Sequence, residues 1–349
     1  MSESKLKLLV TNDELKRRKS LSLDEKITWT LERYIDYFEA YKGCVYLSFS
    51  GGKDSQVLDD IITNLHDGLL DKYLNFEYLF LKNYLKINSL SKPPKVFCDT
   101  GLEFPDIRKH VKGFKNVIWL KPKMKWTDVI NNVGFLIGSK KTSRMIKDLR
   151  NPTDRNKKSR TLYLSGIKSD GTISNSFKLA NRWKPLINAP FKVSDKCCDI
   201  FKKEPFRRYE KISKRKPITA TTTEEGDMRR ISYLKTGCNS FGENPMSRPI
   251  SIWTENDIWA YHNKFNLNFA PIYYSREVEF IENDGTLSKI RVEPEKRSGC
   301  IFCLIGSPKQ IEKRFDRLKY THQKIYNHLM DKTGFRFVFE FIGIKSKIF

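Results

Sequence analysis

Ser50-Gly51-Gly52-Lys53-Asp54-Ser55 follows directly on the apolar run Cys44-Val45-Tyr46-Leu47-Ser48-Phe49. The run reads as a buried strand. Beyond the loop, Val57, Leu58, Ile61, Ile62 and Leu65 keep helical spacing,. A glycine-rich turn therefore joins a strand to a helix. Such a turn lets backbone N–H groups approach an anion, and the helix N-terminus adds its positive dipole end. Lys53 supplies a point charge for phosphate oxygens, and Asp54 can hold Mg²⁺ beside them. The Gly-x4-Gly-Lys-Ser/Thr spacing of a Walker loop is missing. An ordinary Gly-Gly turn with a helix cap is the bland alternative.

The rest of the chain fits an α/β architecture. Ser22 and Glu25 form a capping box for a helix carrying Ile27, Leu31, Tyr34, Ile35 and Phe38, and Gly43 ends it,. Strand-like runs lie at Phe76–Leu81, Lys95–Cys98, Val117–Leu120, Thr161–Ile167 and Pro217–Thr221. Helical patterns separate several of them. This alternation predicts a doubly wound, mostly parallel sheet with an N-terminal helix and a C-terminal helical extension. Ligands in such sheets sit beyond the carboxyl ends of the strands. The loop lies at one such end, and Cys98-Asp99-Thr100-Gly101 at another. Residues 139–160, with nine basic and two acidic side chains, read as a mobile loop or lid, and 202–216 add eight basic against two acidic. A capping pattern at Thr254–Asp257 opens a helix, 276–293 read as a hairpin turned at Asp284-Gly285, and a last long helix is expected from about Lys309 to about Lys332,. The division along the chain is a helical segment 1–43, a nucleotide-binding α/β domain 44–250 and a helical and hairpin region 251–349.

The chain has 65 Lys+Arg against 41 Asp+Glu, a formal charge of +24. That excess favours a polyanionic partner such as nucleic acid; a lysine-rich background is the alternative. No stretch approaches the ~20 apolar residues of a membrane span, and Met1-Ser2-Glu3-Ser4-Lys5 does not open a signal peptide,. The expectation is a soluble, cytoplasmic protein with no membrane partner.

Seven cysteines in such a chain read as ligands, nucleophiles or core residues rather than disulfides,. Cys197-Cys198 and Cys300-Ile301-Phe302-Cys303 form two pairs about a hundred residues apart. Four thiolates from two pairs can close a tetrahedral zinc site, hold a [4Fe–4S] cluster, or simply be buried. Adjacent cysteines are unusual at structural zinc sites, so the spacing leans towards a cluster. Cys44 and Cys98 read as core. Cys238, in the polar stretch Thr236–Ser240, is the best candidate for a reactive thiol.

The loop resembles the pyrophosphate loop (Ser-Gly-Gly-x-Asp-Ser) of the adenine nucleotide alpha-hydrolase family. That family includes N-type ATP pyrophosphatases, tRNA-thiolating enzymes and sulfonucleotide reductases. From about residue 40 to about residue 330 the chain is similar to the PAPS reductase-like branch. Val96–Glu103 looks like its second strand-end motif. Ile218–Glu225 with Arg229-Arg230 looks like a segment flanking the nucleotide, and Arg248–Trp259 looks like a third shared segment. The resemblance implies binding of ATP or another adenine nucleotide with Mg²⁺. The binding residues would be Ser50, Gly51, Gly52, Lys53, Asp54, Ser55, Asp99, Thr100, Gly101, Glu225, Arg229, Arg230 and Arg248. Lys53, Asp54, Asp99 and Cys238 would be the catalytic set. The cysteine pairs look like the [4Fe–4S] signature of assimilatory APS reductases, which implies Cys197, Cys198, Cys300 and Cys303 as ligands.

One departure matters. Sulfonucleotide reductases attack sulfur with a cysteine in a Glu-Cys-Gly-x-His-like tail, and here no cysteine follows Cys303,. The expectation is therefore an ATP pyrophosphatase that adenylates an acceptor such as tRNA or DNA and then transfers sulfur to it. A sulfur-donor protein such as a cysteine desulfurase would be its partner. The alternatives are an APS or PAPS reductase whose nucleophile is Cys238, Cys98 or a partner's thiol, and a non-catalytic nucleotide-binding module.

Overall fold

The computed structural model describes residues 8–87, 91–282 and 284–344. Two compact units emerge, each made of separate stretches of chain. The first comprises Met1–Asp99, Pro105–Leu120 and Phe206–Tyr273, the second Thr100–Phe104, Lys121–Pro205 and Tyr274–Phe349. The contiguous segments 1–43, 44–250 and 251–349 divide the chain linearly, whereas these units interleave.

The first unit is built on a six-stranded sheet. Its order is Val117–Leu120, Lys95–Cys98, Val45–Ser48, Lys216–Thr219, Met246–Ser247, Asn239–Ser240. Every neighbouring pair is parallel except the last, which is antiparallel. The α/β, mostly parallel architecture expected from the alternation is thus present. Val45, Tyr46 and Leu47 are buried, as a central strand requires,. The helix Lys53–His66 buries Val57, Leu58, Ile61, Ile62 and Leu65, each contributing about 1.5–3 kcal/mol. The helix Leu23–Ala40 opens with the Ser22/Glu25 capping box and buries Ile27, Leu31, Tyr34, Ile35 and Phe38.

Residues 76–81 are not a strand. They begin the helix Phe76–Ile87, where Asn75 Oδ1 accepts from the Tyr78 amide at 3.0 Å. An N-cap and twelve residues without Gly or Pro outweigh the apolar run, which suits either structure.

In the second unit, residues 139–160 are largely helical rather than a loop. The helix Lys140–Arg150 buries Ser143, Met145, Ile146 and Leu149, and Ser139 caps it by accepting from the Thr142 amide at 2.9 Å. Four small or apolar residues on one face are enough to dock a helix however basic its other faces are. Residues 161–167 are not a strand either. The helix Lys157–Ser165 continues to Gly166, which takes φ +81 and stops it,. Ile167 makes only a single antiparallel bridge, to Ile173.

The hairpin is as expected: Arg276–Ile281 pairs antiparallel with Leu287–Val292, and the Glu282 amide donates to Thr286 O at 2.8 Å across the turn. The long terminal helix is two helices, Pro308–Thr321 and Gln323–Lys332, with His322 between them at φ −143 and ψ 54. Gln323 is held by the hairpin instead: its Nε2 donates to Ile281 O at 2.6 Å. The helical pattern of the sequence thus continues through a break in the structure at His322. Among the described residues no helix is long and apolar enough to cross a membrane.

Candidate functional site

In the first unit, three adjacent parallel strands end on the same side. Val45–Ser48 leads into the loop, Lys95–Cys98 into Asp99, and Lys216–Thr219 towards Thr222–Glu225. Gly51 takes φ +67, and a Cβ there would lie 2.3 Å from Val111 Cγ2. Only glycine fits, so the turn packs its backbone tightly on the helix Pro105–Lys112. Ser50 and Ser55 brace the loop from within. The Ser50 amide donates to Ser55 Oγ at 3.2 Å, the Gly52 amide to Ser50 Oγ at 3.2 Å, and Ser55 Oγ to Gly52 O at 2.8 Å.

Gly52 is the N-cap of the helix Lys53–His66 and carries no side-chain cap. The helix thus begins without a capping side chain, and its dipole end favours an anion there,. Lys53 is 3% exposed. Its ammonium lies 3.1 Å from Glu255 Oε2, 3.7 Å from Asp54 Oδ1 and 5.4 Å from the Tyr273 ring centre. Burial raises the Asp54 carboxyl above the usual range; Lys53 opposes this, and Glu255 and Glu225 add to it. Two carboxylates, Asp54 and Glu255, thus flank the Lys53 ammonium, and Glu225 acts on Asp54.

Asp99 is buried and pairs with Arg108 at 2.9 Å. Glu225 accepts from the Thr222 amide at 3.2 Å and pairs with Arg229 at 3.7 Å. Arg230 donates to Asn12 Oδ1 at 2.7 Å and pairs with Asp227 at 3.3 Å. Arg248 is buried against Ser232 and Thr236, and its Nε has no hydrogen-bond acceptor. Burial, with Arg229 nearby, lowers its pKa. Cys238 lies in the core, not in an exposed polar loop. Trp29 Nε1 donates to its sulfur at 3.3 Å, and burial pushes the thiol up. A protonated, enclosed thiol is a poor nucleophile.

Thr100 and Gly101 belong to the second unit. There the Thr100 amide and hydroxyl donate to the buried Glu103 carboxylate at 3.0 and 2.7 Å. This unit also brings the two cysteine pairs into one electrostatic neighbourhood. Cys197 and Cys198 start a helical segment that runs into the π-turn Asp199–Lys203, a local widening frequent at functional sites. Cys300 and Cys303 are joined by a turn in which the Cys303 amide donates to Cys300 O at 3.1 Å. Arg314 donates to the carbonyls of Cys303 and Ile305 and fixes that turn.

Cys197, Cys300, Met124, Trp126, Ile200 and Phe302 pack around the buried Leu102, Val129 and Phe201. Burial together with the other three thiols pushes Cys197 up to about 12, and burial pushes Cys300 up to about 11. The Lys202 ammonium is raised, first by Cys300, then by Glu103 and the other thiols. Four thiols thus share the electrostatic neighbourhood of one ammonium. Among the described residues no group of three or more His, Cys, Asp or Glu is placed to hold a metal ion.

Sequence reasoning did not single out Glu255, Tyr273, Lys202 or Glu103. Glu255 follows the helix cap Thr254, and Lys202 stands four residues after Cys198, one helical turn on. Those spacings were the available signals.

No family model matches this sequence. Part of the chain is 46% identical over 54 residues to sulfate adenylyltransferase subunit 2 1 of Marinobacter nauticus, covering 16% of this chain and 18% of that protein. It is 44% identical over 46 residues to sulfate adenylyltransferase subunit 2 of Agrobacterium fabrum, covering 13% and 14%. To the same subunit of Pseudoalteromonas translucida it is 40% identical over 55 residues, covering 16% and 18%. The chain thus spans less than a fifth of the length of these curated relatives. Among solved structures, the phosphate complex of phosphoadenylyl-sulfate reductase from Candida auris aligns with a TM-score of 0.33. That alignment has 12% identity and covers 75% of this chain and 90% of that one.

Proposed function

We propose that the first unit binds ATP and transfers its adenylyl group to an acceptor oxygen, with release of pyrophosphate. The observation that carries this reading is the loop: Gly51 locked at φ +67 against Val111, a helix N-terminus without a side-chain cap, and the buried Lys53 ammonium beside it. The printed activity of the curated relatives, adenylyl transfer to sulfate, supports the same class of step. An acceptor oxygen forms a bond to the α-phosphorus, the bond to the bridging oxygen breaks, and pyrophosphate leaves with that electron pair. Lys53 and the Gly52–Ser55 amides stabilise the charge gathering on the leaving group. Mg²⁺, when bound, would neutralise phosphate oxygens, with Asp54 as a ligand.

The proposal extends to sulfur transfer onto an acceptor such as tRNA or DNA, in which sulfur from a sulfur-donor protein such as a cysteine desulfurase forms a bond to the adenylated centre and AMP leaves with the electron pair of the bond it breaks. Cys197, Cys198, Cys300 and Cys303 would hold a [4Fe–4S] cluster, which supplies either a sulfur-binding iron or a fixed electrostatic element. Supporting this are the two cysteine pairs in sequence and the action of Cys198, Cys300 and Cys303 on Cys197; among the described residues no three of these thiols are placed to hold a metal ion, so the cluster requires them to draw together.

The test is pyrophosphate release from ATP and Mg²⁺ with sulfate, tRNA or DNA as acceptor, in wild type and in Lys53→Ala. Release that falls at least about tenfold in the variant supports the proposal. A nucleotide affinity and turnover that Lys53→Ala leaves unchanged overturn it.

A further inference from the structure

The charge of +24 is not spread evenly. Residues 139–196 hold fifteen basic and four acidic side chains, whereas residues 276–295 of the same unit hold six acidic and three basic. A generally lysine-rich composition does not produce that contrast within one compact unit.

Two helices in this stretch start against their own dipoles. Lys140-Lys141 and Lys157-Lys158 occupy the first positions of Lys140–Arg150 and Lys157–Ser165, with no acid in either first turn. Helix stability favours acids there. An anionic partner reverses the penalty, because phosphate is favoured by the lysines and by the positive dipole ends of the helices together.

Exposed apolar side chains lie among these cations. Ile167 and Ile173 are bridge partners in the turn that follows the second helix, and Leu164 and Phe177 are exposed beside them in sequence. The Lys141 ammonium sits 4.1 Å from the Phe177 ring centre. A duplex exposes mainly its phosphates; unpaired bases need apolar and aromatic contacts.

The same face adjoins the cysteine set. Buried Asp195, two residues before Cys197, accepts from Arg144 Nε at 2.9 Å, and Lys140 acts on Cys198 and Asp199.

We infer that residues 140–178 form a docking surface for a single-stranded nucleic acid and present it towards the cysteine segment. This inference rests on the reading of a nucleic-acid acceptor and assigns where that acceptor docks.

The experiment is fluorescence anisotropy on the full chain without nucleotide. The probes are one labelled oligonucleotide sequence as single-stranded DNA, as RNA and as a DNA duplex, across about 50 to 300 mM salt. Log affinity should fall linearly with log salt, with the single strands bound more tightly than the duplex. The triple variant Lys157→Gln, Lys158→Gln, Lys168→Gln should reduce the slope by about two units, while Lys289→Gln in the hairpin leaves it unchanged. No binding at about 100 mM salt, or a slope the triple variant does not alter, overturns the docking surface. Tighter binding of the duplex overturns the single-strand assignment. If no oligonucleotide binds but pyrophosphate is released with sulfate, docking falls and adenylyl transfer stands. If oligonucleotides bind with the expected slopes and pyrophosphate is never released, the reverse holds.

Discussion

The Lys53 ammonium lies 3.1 Å from Glu255 Oε2, so the cation at the head of the loop already has a carboxylate beside it. An incoming phosphate must share or displace that partner. Glu255 is half-exposed, and a partly exposed ion pair is worth about 0–1 kcal/mol. Glu255→Gln should therefore tighten the binding of Mg²⁺-free pyrophosphate up to about fivefold. Lys53→Ala should weaken it by about ten- to a hundredfold. Titration calorimetry reads both. An unchanged affinity in Glu255→Gln would mean that the carboxylate does not compete for the site.

Gly51 is the position where the loop tolerates least. Gly51→Ala would place a Cβ 2.3 Å from Val111 Cγ2 at a φ of +67. The left-handed backbone alone costs about 1–2 kcal/mol, and the overlap adds to it. Denaturant unfolding should show that loss. The double change Gly51→Ala with Val111→Ala should recover the part due to overlap and keep the part due to backbone. Wild-type stability in Gly51→Ala would show that the loop is free to adopt another path.

His66 makes the first unit sensitive to acid. Tyr34 Oη lies 2.7 Å from His66 Nε2, and burial, with Lys92 and Lys82 nearby, pushes the imidazole down from 6.5 to about 4. The folded state holds this group neutral while the unfolded chain protonates it near 6.5. Its stabilisation is therefore present above pH 6.5 and is lost as pH falls from there towards 4. The loss is at most about 3 kcal/mol, and less where solvent screens the group. His66→Gln should flatten the dependence of unfolding free energy on pH across that interval. An equally steep profile in the variant would assign the acid sensitivity to other groups.

The cysteine set gives a direct analytical test. Protein isolated anaerobically should be brown and contain about four irons per chain. Serine at Cys197, Cys198, Cys300 or Cys303 should make the iron labile or remove it. Serine at Cys44, on the edge of the first unit's core, should not. A colourless protein with one tightly bound zinc would keep the four ligands and reject the cluster.

The strand–loop–helix of residues 44–66 was legible in the sequence because each of its parts is local. An apolar run, two glycines and a helical period need nothing from the rest of the chain. The Ser22/Glu25 and Thr254/Asp257 capping boxes were legible for the same reason, since both partners lie within four residues. Residues 76–81 and 161–165 are helical although the runs 76–81 and 161–167 suit a strand in sequence, because short apolar runs fit either structure,. At 76 an N-cap decided; at 161 a helix begun four residues earlier simply continued. His322 breaks a continuous helical pattern, and the next residue, Gln323, bonds to a hairpin some forty residues away in sequence, a partner no local pattern reveals.

The types of the site residues could be read from the chain; their partners could not. Glu255 reaches Lys53, and Lys202 acts on Cys300, across separations of about two hundred and one hundred residues that no local pattern encodes. Cys238 sits in a polar stretch of sequence yet is buried under Trp29, because burial is set by what packs over a residue rather than by its neighbours along the chain. Local chemistry was written in the order of residues. Which charges meet, and which thiols are enclosed, followed from long-range packing alone.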